Sequence, residues 1–154
     1  MSEIEFVVEQ LKCSFDGEAW HGPALMEILA DVDAHTAAAH PISAAHSIWE
    51  LVLHVAAWEQ VITSRIVHKK VVTLNDEQNF GHIGHVGEEA WREAVDRLRR
   101  NHEELIKTVS GLSESQLNDP VPGKPYDVRF MVLGAVQHVA YHGGQIALLK
   151  KAQG

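Results

Sequence analysis

Along most of the chain, apolar residues return three and four positions apart, and strict alternation is confined to the short run "KKVVTL" at 69–74. That period predicts an all-α protein. A first helix is expected over 3–15, interrupted at Asp16-Gly17 and resuming after "WHGPAL". There Pro23 suits a first helical turn, and Leu25, Ile28, Leu29 and Val32 turn inward. Ser43 is expected to cap a second, long helix reaching about Lys69, with Ser47, Leu51, His54, Trp58 and Val61 along one face. Segment 70–87, with Asn75-Asp76 and the glycines 81, 84 and 87, reads as a loop. A third helix runs from Glu88 to Ser110 and stops at Gly111, with Trp91, Val95, Leu98, His102, Leu105 and Val109 inward. The proline-rich "NDPVPGKPYD" leads into a fourth helix over 127–151.

Unbroken apolar stripes without paired strands predict an up-down-type four-helix bundle, and no internal repeat divides the chain, so one domain is expected over 1–154. Leu51, Trp58, Val95, Leu98, Ala135 and Ile146 should lie out of water. With 154 residues and 45% hydrophobic content the chain can build a full core without a metal staple. A net charge of −8 and the absence of a basic run argue against a nucleic-acid partner. No apolar run approaches the ~18 residues of a membrane span. The start "MSEIEFVVEQ" lacks a basic, then apolar leader, and the single Cys13 cannot close an internal disulfide, so a cytoplasmic protein is expected.

The fourth helix raises the chemical question. Met131, Ala135, His138, His142, Ile146 and Leu149 share a stripe narrower than about a quarter of the circumference, so two imidazoles interrupt the side that meets the core. Their nitrogens need partners. Separate bonds to backbone or water would satisfy them, as would a shared cation, since the i, i+4 spacing lets both rings reach one ion. His54, on the inward face of the second helix, can complete three sides of a tetrahedron with the fourth left open, at about 2.0–2.2 Å from a zinc-type ion. No Glu-x-x-His pair and no His-Glu-x-x-His exist, so a ligand set here would be imidazole. Glu50 and Glu59 point about 40° and 140° away from His54, too far for an evident supporting carboxylate. His102 reads as structural with access to water. His82 and His85 read as solvated, as do His35, His40, His46 and His68. Trp20, Trp49, Trp58 and Trp91 read as core and rim packing, and Cys13 as structural.

"SIWELVLHVAAWE" (47–59), followed far downstream by "QHVAYHGGQIALLKK" (137–151) and preceded by "AWHGPAL" (19–25), resembles the DinB/YfiT-like superfamily of bacterial four-helix proteins over nearly the whole chain. The resemblance implies a divalent metal, commonly zinc or nickel, on the histidines matching His54, His138 and His142, and a homodimer formed through the bundle. It also brings low-molecular-weight thiols into view, because relatives include bacillithiol S-transferases and mycothiol-dependent maleylpyruvate isomerases. The sequence departs from the family at Val139, where many relatives carry an acid, and in the loop "NFGHIGHVG". The reading that follows is a metal-dependent thiol S-transferase acting on a small electrophile. Gln145 or Tyr141 would orient the substrate in a pocket near Trp20 and His21. A non-catalytic metal-binding stress or sensing protein and a metal-dependent hydrolase are the alternatives.

Overall fold

The computed structural model describes all 154 residues and contains helices but no strand. Four long helices are α1 (Glu3–Asp16), α4 (Ile48–His68), α6 (Glu88–Ser110) and α7 (Val128–Lys151), with the short helices α2 (Leu25–Leu29), α3 (Ala34–Ala38) and α5 (Asp76–Phe80) between them. A 3-10 turn spans Glu114–Asn118, and "KKVVTL" forms no strand. No helix is long and apolar enough to cross a membrane.

Local chemistry sets the helix starts. Ser2 and Ser47 each accept the amide N–H three residues on, from Glu5 and Glu50, whose carboxylates accept in return from the serine N–H groups. These reciprocal bonds satisfy donors that a helix start leaves free. The cap of α4 is therefore Ser47 and not the expected Ser43, which is exposed in the preceding turn region. Ser47-x-x-Glu50 supplies both halves of the box, whereas Ser43 has His46 in the corresponding position. Asp127 caps α7 by accepting from Phe130 N–H. The expected loop over 70–87 contains α5, which Asn75 and Gln78 open with the same reciprocal bonding.

α4 packs against both α6 and α7, and α1 packs against the same two helices from the other side. The apolar interior falls into two clusters. One gathers Trp49, Val52, Val55, Trp91, Leu98, Val139 and Ile146, and the other gathers Val7, Leu11, Ile62, Leu105, Val109 and Val132. Glu59, His102 and His138 lie where α4, α6 and α7 pass from one cluster to the other, with His54 and His142 beside the first. Leu51, Leu98, Ala135 and Ile146 are buried as expected, while Trp58 and Val95 are half-buried. Trp20 is fully exposed at 102% and packs in no core, contrary to expectation, because it lies in the turn region before α2.

Candidate metal centre

His54 stands in the first half of α4, and His138 and His142 stand one turn apart on α7. The packing of α4 on α7 brings their rings together. His138 Nε2 lies 3.0 Å from His54 Nε2 and 3.0 Å from His142 Nε2. The three form the cluster of potential metal ligands in the protein, with ligand atoms within 4.8 Å of one another.

The outer nitrogens decide what the inner ones offer. His54 Nδ1 donates to the Asn79 carbonyl at 2.8 Å, and His142 Nδ1 donates to Gln145 Oε1 at 2.6 Å. A neutral imidazole carries one N–H, so both Nε2 atoms present bare lone pairs. A proton on His138 Nε2 can serve only one of them. At least one of the two 3.0 Å contacts therefore sets lone pair against lone pair, an arrangement that a shared cation relieves and a protein-only hydrogen-bond network does not. Protonation is no remedy. Burial holds the His54 and His142 pKa values below the ordinary imidazole value, and burial followed by the charges of His142 and His54 pushes His138 down to about 3. Three neutral imidazoles facing one point are the donor set that zinc-group divalent ions take.

The support for this arrangement comes from a segment that reads in the sequence as loop. Asn79 and Phe80 close α5: the Asn79 carbonyl fixes His54, its side-chain oxygen accepts from Trp58 Nε1 at 2.8 Å, and the Phe80 ring stacks on His54 at 4.3 Å. Gly81 makes the approach possible. It adopts φ 67, and a Cβ there would fall 2.8 Å from Leu53 Cδ1. Asn75-x-x-Gln78 is the sequence signal for this helix, since it matches a capping pattern.

Glu50 and Glu59 do not support the triad. Glu50 caps α4 and lies 3.3 Å and 3.4 Å from His40 and His46. Glu59 is buried on the opposite side of α4, 2.8 Å from His102 Nδ1. His102 therefore has no access to water, contrary to expectation: it is 2% exposed and its ring stacks on Phe15. Burial raises the Glu59 pKa, opposed by the bond from His102. Val139, where the family resemblance leads to an acid, is a packed core residue. His35, His40, His46, His68, His82 and His85 are exposed and stay outside the triad. Gln145 is bonded to His142, and Tyr141 is 66% exposed with its ring edge-on to His142. Cys13 is a half-buried free thiol on α1.

A cavity of about 420 Å³ opens beside the triad, lined by His54 and His138 together with Trp58, Arg65, Tyr126 and Phe130. This is not the expected place. His21 lines a different cavity with Pro23, Gly143 and Lys150, while Trp20 projects into solvent. The family model of the DinB superfamily matches residues 19–146. The chain belongs to the DinB superfamily. The matched span includes all three clustered histidines, and it also carries α5 and the cavity walls. No curated protein and no solved structure matches the chain. Within this DinB protein the histidine cluster is thus a group able to hold a metal ion beside a small-molecule-sized space.

Proposed function

We propose that this DinB protein is a divalent-metal-dependent thiol S-transferase acting on a small electrophile, with His54, His138 and His142 as the metal ligands. The observation that carries the reading is the convergence of three Nε2 atoms, those of His54 and His142 presenting bare lone pairs, beside an apolar cavity. A bound divalent ion with neutral ligands keeps its full charge and lowers the pKa of a thiol held at an open position. Zinc and nickel both suit imidazole. Asn79 and Gln145 hold the ligand rings in one tautomer, and Trp58, Phe130 and Met131 exclude water from the apolar body of a substrate. No Asp or Glu lines the cavity. That favours thiol transfer over hydrolysis, because a thiolate attacks without a general base whereas water activation gains from one.

The reading extends to architecture. The packing of α1, α4, α6 and α7 fits an up-down four-helix bundle in one domain over 1–154. The outer face of α7 exposes Phe130, Tyr141 and Leu148 on one stripe with Gly144, whose Cβ position has open space, so close packing of a second α7 in a homodimer suits it. Light scattering tests that state. The chemical test uses protein purified without a nickel column, elemental analysis for metal, and a low-molecular-weight thiol with 1-chloro-2,4-dinitrobenzene. In this reaction the sulfur–carbon bond forms, the carbon–chlorine bond breaks, chloride leaves and the thiol proton passes to buffer. Expected are one ion per chain and a transfer rate that His138→Ala abolishes along with the metal. Stoichiometric metal with no metal-dependent transfer would replace the enzyme with a binding or sensing protein.

A further inference from the structure

Arg65 lies at the far end of the cavity from the histidines, in the last turn of α4. It is 4% exposed, and no carboxylate pairs with it. Its Nε and Nη2 donate to the Val72 carbonyl at 3.1 Å and 2.7 Å, and its Nη1 donates to Tyr126 Oη at 3.3 Å. These partners are neutral. A guanidinium has five N–H groups, so one on each terminal nitrogen remains unused and open to a carboxylate. A buried cation without a counter-ion is costly, and the negative end of α4 offsets only part of that cost.

The rest of the cavity is built for the body between two polar ends. The Trp58 indole lies 6.5 Å from the His54 ring and 5.7 Å beneath the Arg65 guanidinium, so it stands between the histidine end and the cationic end. Ile62, Phe130, Met131 and Ala135 add apolar wall.

We infer that the cavity selects an elongated small molecule with an apolar middle and a terminal carboxylate, which pairs with Arg65 while the opposite end reaches the histidines. This assignment deepens the proposed function by naming a substrate class, and Arg65 is its specificity-determining residue. The pairing supplies the missing counter-ion. Recognition would come from the guanidinium and Tyr126, and the hydrocarbon middle would be read only by fit.

Octanoate and its neutral isostere octanamide test the pairing by titration calorimetry at about pH 8, where octanoate is ionised, on protein stripped of metal and dialysed free of chelator. Octanoate should bind about tenfold or more tightly than octanamide, the scale of a charge-assisted bidentate bond. Arg65→Gln should bring the two affinities together by weakening octanoate alone. Arg65→Lys, which keeps the charge but loses the fork, should retain a reduced preference, so one variant remains informative if the other unfolds. A merely structural Arg65, tethering Val72, would shift the melting temperature and leave the ratio of the two ligands unmoved. Equal affinities in the wild type, or a preference that survives Arg65→Gln, overturn the inference. Metal enters only in a second arm: 8-mercaptooctanoate should gain affinity over octanoate when zinc is restored. A carboxylate preference without that gain sinks the thiol reading and leaves the Arg65 pocket standing, whereas the gain without the preference does the reverse.

Discussion

Acidification sets protons against the metal for the same nitrogens, and it also taxes the metal-free fold. His138 has a folded pKa pushed down to about 3 by burial and by its two histidine neighbours. An unfolded histidine titrates near 6.5. Above that value the ring is neutral in both states and the fold is not penalised. As pH falls below it, the unfolded chain takes a proton that the folded protein refuses, so stability is lost progressively down to the folded value. At about pH 5 this one group costs about 2 kcal/mol. The lowered pKa values of His54 and His142 act in the same direction. For a chain of this size about 2 kcal/mol is about 4–8 °C of melting temperature. Bound metal works from the other side. At a free concentration a hundredfold above its Kd it adds about 2.7 kcal/mol at neutral pH. Each ligand must be neutral to bind, so affinity falls by up to about tenfold per histidine per pH unit below roughly pH 6. Thermal unfolding of wild type and His138→Gln, with and without chelator at about pH 8 and pH 5, separates the two effects. The wild type should show a chelator-sensitive midpoint at pH 8 only, and in chelator its midpoint should fall more steeply with acid than that of His138→Gln. Identical acid slopes for the two chelated proteins would refute the neutral-histidine argument, and metal content indifferent to acid would point to carboxylate ligands.

Three further outcomes are expected. Gln145→Leu removes the acceptor that fixes His142 and should weaken metal binding about 10–100-fold with little change in helix content, checked by competition with a chromogenic chelator. Gly134→Leu points a side chain into open space at the cavity wall: helix propensity should hold or raise the melting temperature, while octanamide and octanoate binding are both lost in calorimetry. Glu59→Leu should cost about 1–3 kcal/mol in denaturant unfolding by leaving His102 Nδ1 without its buried partner, whereas the double change Glu59→Leu with His102→Leu should recover most of it, because the pair is removed together.

The triad was legible because it breaks a pattern. Helical period alone places His138 and His142 on the apolar stripe of α7, and residues that interrupt a core stripe announce a need for partners. The partners themselves were not legible. His54 is held by a main-chain carbonyl of Asn79, an atom every residue possesses, and the helix that delivers it is only five residues long and amid loop-forming composition. Glu59 shows the opposite failure: an acid in a helix reads as solvated, and nothing local tells that α6 will set His102 across from it. Ser43 is expected as the cap and Ser47 as part of the helix face, and the glutamate three residues on is what makes Ser47 the cap. Trp20 misleads because aromatic bulk suggests burial, while its turn gives it no neighbouring face to bury against.

The two apolar clusters explain why the polar groups stand where they do. α4 contributes Val52 and Val55 to one cluster and Ile62 and Ile66 to the other; Glu59 occupies the stretch between them, while His54 lies within the first stretch and points to the opposite side. α7 likewise contributes Val132 and Ala135 to one cluster and Val139, Ile146 and Leu149 to the other, with His138 at the junction and His142 one turn on, beside the second. A polar layer costs stability when its members are unpaired, so each side must close its own account. On the α6 side Glu59 and His102 satisfy each other with one bond, leaving Glu59 Oε2 and His102 Nε2 without a protein partner. On the α7 side the outer nitrogens of His54 and His142 are satisfied and the inner ones face one another. The dry apolar clusters keep those inner nitrogens neutral, and neutrality is the condition for ligating a cation. The two halves of the core therefore act on the site directly: they hold three imidazoles neutral where a cavity lets a small molecule in.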